Sequence, residues 1–109
     1  MLKYKSKERG QLMDVFHTPG AELLVQAVLS LKTEEECRAF LEDLMTGREI
    51  HDCSQRILVA ALLRRNLVYS RIAQETGASS ATISRVNRCC VYGAGGYQTV
   101  LERMEEGGN

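Results

Sequence analysis

Between positions 79 and 88 the stretch SSATISRVNR sets short hydroxyl donors beside two guanidiniums: Ser79, Ser80, Thr82, Ser84, Arg85 and Arg88. Hydroxyls and arginine N–H groups donate to phosphate oxygens, and the arginine fork matches the paired acceptors of guanine. Ser79 and Ser80 are expected to dock a phosphate or reach base edges. Ala81, Ser84 and Arg85 are expected to face a major groove, with Arg85 the candidate for guanine. Arg64, Arg65, Arg71 and Arg88 are the further phosphate candidates. Catalysis has no comparable foothold. His17 and His51 stand alone, and the acidic run Glu34-Glu35-Glu36 opens a helix, where the macrodipole accounts for it. No Ser-His-Asp set can be assembled, so no enzyme is expected.

Cysteines 37, 53, 89 and 90 form no C-x-x-C pair. Cys37 and Cys53 fall on apolar helix faces and are expected as small buried hydrophobes. Cys89 and Cys90 are adjacent, a poor spacing for chelation, and nothing supports a redox role for them. Neither a metal, nor a cofactor, nor a structural disulfide is expected.

The groups of 79–88 need a scaffold, and residues 69–88, YSRIAQETGASSATISRVNR, supply the pattern of a helix-turn-helix. Two short helices crossing at about 90–120° approach closely, so the first must be small at the contact; Ala73 is. The turn needs a residue that tolerates positive φ, and Gly77 does so without steric cost. Ile72, Ile83 and Val86 then form the small core between the helices.

Helical signals recur before and after this motif. Thr18-Pro19 reads as an N-cap followed by proline at the first helical position. Leu23, Leu24, Ala27, Val28 and Leu31 follow at helical spacing. Thr33 with Glu36, and Thr46 with Glu49, read as capping boxes opening a second and a third helix. Residues 57–63, ILVAALL, are apolar without interruption, so this segment is expected to be buried all round. Arg64-Arg65-Asn66 ends it. GAGG at 93–96 is a break before a last helix striped by Tyr97, Val100, Leu101 and Met104. No strand is expected, because period-two alternation is absent.

A length of 109 residues suits one domain spanning 1–109. No apolar run is long enough to cross a membrane, and MLKYKSKERG lacks the apolar stretch of a signal peptide, so a cytoplasmic protein is expected. The formal net charge is zero, but it is unevenly spread. Residues 18–45 carry two basic groups against six acids, whereas 46–88 carry seven, all arginine, against three. Phosphate contacts depend on local charge, so a neutral total does not exclude DNA. Residues 1–10 are expected as a flexible basic arm. Lys3, Lys5, Lys7 and Arg9 would be available to phosphates there, a solvated terminus without a role being the plain alternative. A wholly apolar central helix in so short a chain favours a two-fold homodimer, which would place two recognition helices about 34–36 Å apart for successive major grooves. A monomeric bundle is the alternative architecture.

The stretch LRRNLVYSRIAQETGASSATISR resembles the corresponding part of the Trp repressor family. Residues 12–106, with ETGAS at 75–79, ATISRV at 81–86 and Arg88, Cys89, Tyr92 and Gly93, resemble its YerC/YecD branch. The resemblance implies an all-α, multi-helix fold built as an intertwined homodimer that binds double-stranded operator DNA through the helix-turn-helix. It also implies where tryptophan would sit, between two arginines with a glycine floor. Arg85 matches one arginine, but Gln55 stands at the place of the other and Val86 at the place of the glycine. Tryptophan binding is therefore not expected. The function expected is a sequence-specific transcriptional regulator that represses. The alternative is the same fold used as a protein-interaction or effector-sensing module without strong DNA binding.

Overall fold

The computed structural model describes residues 15–107, and the basic arm proposed for 1–10 lies outside them. Among the described residues there are six helices and no strand: α1 (Pro19–Ser30), α2 (Glu34–Leu44), α3 (Gly47–Arg64), α4 (Tyr69–Thr76), α5 (Ser80–Tyr92) and α6 (Gly96–Glu106). No helix among them is long and apolar enough to cross a membrane. The chain divides into two compact units, Met1–Leu44 and Met45–Asn109.

In the first unit the termini behave as their residues dictate. Thr18 caps α1 by accepting from the Ala21 N–H, and Pro19 takes the position where its missing N–H costs nothing. Thr33 accepts from the Glu36 N–H, but the Glu36 carboxylate reaches back to the Lys32 N–H rather than to that of Thr33. The expected capping box is thus displaced outward by one residue. No residue of α1 or α2 is buried, and Leu23, Val28, Leu29 and Leu44 are exposed.

The second unit holds the core. Thr46 and Glu49 exchange both bonds of a full capping box and start α3. At its far end Asn66 adopts φ 64°, its N–H donates to Leu63 and the Leu67 N–H donates to Leu62. This is a Schellman ending with asparagine in place of the usual glycine, and it turns the chain sharply into α4. Val59, Ala60 and Leu62 of α3 pack with Ile72, Ala78, Ile83, Val86 and Leu101 in one buried cluster. Ala73, the small residue of the motif, packs partly buried against it.

Two expectations need correction here. The segment ILVAALL is not buried all round: Leu58 is exposed, and Ile57, Ala61 and Leu63 are only partly buried. The other helices of the unit cover Val59, Ala60 and Leu62, whereas Leu58, one turn before Leu62 on the same face, lies beyond their reach. Cys53 is exposed rather than a buried hydrophobe. It lies two turns before Ala60 on the same face, at a level where that face is uncovered, and its sulfur accepts from the Arg56 guanidinium at 3.4 Å. Cys37 is half-buried.

Candidate nucleic-acid interface

Helices α4 and α5 form the helix-turn-helix. Gly77 closes α4 with φ 76°, its N–H donating to Ala73 at 2.8 Å. Nothing lies within 4 Å of where a Cβ on Gly77 would sit, so its left-handed backbone, not crowding, is what calls for glycine. Thr76 knots the turn: its hydroxyl donates to the Ile72 carbonyl and accepts from the Ala78 N–H. Ser79 then caps α5, accepting from the Thr82 N–H while its own hydroxyl donates to Thr82 Oγ1 at 3.1 Å. Ile72, Ile83 and Val86 are essentially without exposed surface, as their spacing implied.

The structure sorts the residues singled out for DNA. Ser80, Ala81, Ser84, Arg85 and Arg88 are exposed along α5. Ser79 and Thr82 are engaged with each other, so the first serves the helix before any ligand. Arg71 is held by Glu75 at 2.7 Å, one turn along α4. Arg64 forms a two-pronged pair with Glu105 of α6, at 2.9 and 3.1 Å. That contact raises the pKa of Arg64 and lowers that of Glu105, in each case first through the hydrogen bond between them. Among the described residues, Arg65, Arg85 and Arg88 make no ion pair, and they are the cations of the set left open to an outside anion.

One contact at this site has no precursor in the sequence pattern. Gln55, half-buried on α3, donates from its side-chain amide to the Thr76 carbonyl at 3.2 Å, across 21 positions of chain. A cavity of about 190 Å³ lies among Ala60, Leu63 and Arg64 of α3, Asn87 and Cys90 of α5, and Gln98 and Leu101 of α6. Burial raises the pKa of the Cys90 thiol there. No group of His, Cys, Asp and Glu among the described residues is arranged to hold a metal.

A sequence model of the family described as Trp repressor protein matches residues 20–105. The chain is 47% identical over 96 residues to the uncharacterized protein YerC of Bacillus subtilis (strain 168), covering 86% of this chain and 92% of that one. The crystal structure of a TrpR-like protein from Eubacterium eligens superposes with a TM-score of 0.80 at 49% identity, over 84% of this chain and 95% of the other. A second crystal structure, of a Staphylococcus aureus protein provisionally assigned to the Trp repressors, gives a TM-score of 0.80 at 40% identity, over 85% and 93%.

Proposed function

The chain belongs to the Trp repressor family, and on that premise we propose that it is a sequence-specific DNA-binding regulator, a repressor, which works as a homodimer through α4 and α5. The carrying observation is the face of α5. Ser84, Arg85 and Arg88 are exposed together, and neither guanidinium is engaged by a carboxylate among the described residues. Arginines held this way meet phosphates and guanine edges without first giving up a partner. The first turn of α5 adds backbone N–H groups suited to a phosphate oxygen. Arg64 and Arg71 serve as secondary phosphate contacts, because exposed ion pairs are weak and exchange readily.

The homodimer rests on apolar surface that one chain leaves uncovered. Leu23, Val28 and Leu29 on α1, Leu58 on α3 and Met104 on α6 are exposed. Large apolar side chains left open to water in this number favour burial against a second copy. Sedimentation at micromolar concentration is expected to give a species of twice the chain mass.

Titration of the chain against duplex DNA at two salt concentrations tests the function. Binding through the arginines of α5 predicts a linear fall of log affinity with log salt. An affinity indifferent to salt, or none for any duplex recovered from a random pool, would overturn it in favour of a protein-interaction module.

A further inference from the structure

Among the described residues, two side-chain links run between helices far apart in sequence: the hydrogen bond of Gln55 to Thr76, and the paired hydrogen bonds of Arg64 with Glu105. The second ties α3 to α6. The first ties α3 to the turn of the helix-turn-helix. The rest of the attachment between α3 and that motif is apolar packing of Val59, Ala60 and Leu62 against Ile72, Ile83 and Val86.

These two kinds of attachment differ in what they fix. Apolar burial is non-directional, so a cluster of branched side chains holds two helices together yet tolerates a small rocking of one against the other. A hydrogen bond has preferred distance and angle and selects one tilt. Thr76 is well placed to transmit that choice. Its carbonyl, one of the groups that a helix end leaves without an internal partner, takes the Gln55 amide. Its hydroxyl holds Ile72 behind it and Ala78 ahead of it. Ala78 precedes Ser79, the cap that starts α5. The path from Gln55 to the first turn of α5 therefore passes through bonded groups at every step.

We infer that Gln55 is a positioning residue for DNA recognition: its bond to the Thr76 carbonyl sets the angle at which α5 is presented. This rests on the DNA-binding reading of α5. The bond does not touch DNA, so it acts on the fraction of molecules already holding the productive tilt. Losing that pre-organisation weakens binding in proportion. The penalty falls on duplexes that require base contacts from Ser84 and Arg85. It spares random duplexes, which phosphate contacts hold in many orientations.

The test compares wild type with Gln55→Met, which keeps length but has no donor, Gln55→Glu, which offers only acceptors when ionised, and Gln55→Lys, which restores N–H donors. Each folded variant is titrated against a duplex selected by the wild type and against random duplex. Gln55→Met and Gln55→Glu are expected to lose about three- to tenfold on the selected duplex, the span of one ordinary hydrogen bond. They should lose little on random DNA and keep an unchanged salt slope, while Gln55→Lys recovers the ratio of the two affinities. Equal losses on both duplexes, or none in Met and Glu alike, would overturn the inference. Residual dipolar couplings give a second reading free of DNA. In wild type the amides of α4 and α5 should fit one fixed orientation against α3, and in Gln55→Met they should not. A wild type that selects no duplex refutes the functional reading. Couplings unchanged in Gln55→Met refute the positioning role.

Discussion

Ile83 and Arg85 stand on opposite sides of α5, the first with no exposed surface and the second open to solvent. Two helical steps separate them by about 200°, so packing Ile83 against α3 and α4 obliges Arg85 to point outward. Arg85→Ala is expected to lose about 1–3 kcal/mol on the preferred duplex and to relax specificity at one base pair. If the arginine holds phosphate alone, the loss should instead be similar on every sequence, with the salt slope reduced by about one. Unchanged binding on both selected and random duplexes would remove Arg85 from the interface.

Val86 is 1% exposed, and its branched side chain occupies the place where the family resemblance puts a glycine floor. Gln55, at the place of the second arginine, is committed to Thr76. Millimolar L-tryptophan is accordingly expected to leave the melting temperature unchanged. A ligand that binds the folded state alone adds about 2.7 kcal/mol at a hundredfold excess over its dissociation constant. An upward shift produced by tryptophan and by no other amino acid would show that the pocket is open after all.

Gly77 offers a separate check on the turn. Its φ of 76° lies where side chains are penalised, yet the space beside it is empty. Gly77→Ala should therefore destabilise by about 1–2 kcal/mol through backbone conformation, and Gly77→Asn by less, since asparagine visits this region more readily. Denaturant unfolding measures both. Equal losses in the two variants would point to crowding instead.

The pair between Arg64 and Glu105 predicts a pH dependence. Arg64 lowers the pKa of Glu105 in the folded chain, so on acidification the unfolded chain takes up this proton first. The contribution of the pair is complete above the unfolded glutamate value of about 4.3 and fades as pH falls through the lower folded value. Wild type should thus lose more stability between neutral pH and pH 3 than Glu105→Gln does, by a small margin that shrinks in high salt because both side chains meet solvent. Parallel acid profiles for the two proteins would show that the pair adds nothing to stability.

What the sequence made legible was local. Ala73, Gly77 and Ile83 lie within eleven positions of one another, and the caps at Thr18 and Thr46 act within three, so type and spacing are enough to place them. The tie from Gln55 to Thr76 spans 21 positions and that from Arg64 to Glu105 spans 41. Such contacts depend on how helices cross, which no periodicity encodes. Arg64 shows the cost: its type and neighbourhood marked it for phosphate, and α6 brings a carboxylate to it. Leu58 shows the same from the apolar side. Its run of neighbours implied burial, but the other helices of its unit cover Leu62 and stop short of Leu58, one turn earlier on the same face.

The arginine-only character of the second half of the chain has a practical side. The lysines are Lys3, Lys5, Lys7 and Lys32, so every side-chain primary amine lies at or before position 32. Reagents that acylate or reductively methylate amines will leave Arg65, Arg85 and Arg88 chemically untouched. A chain coupled to a sensor surface through its amines will be held by its N-terminal third, with the proposed DNA-reading helix unmodified. Lysine acetylation, the usual way to erase positive charge after synthesis, has no substrate on that helix.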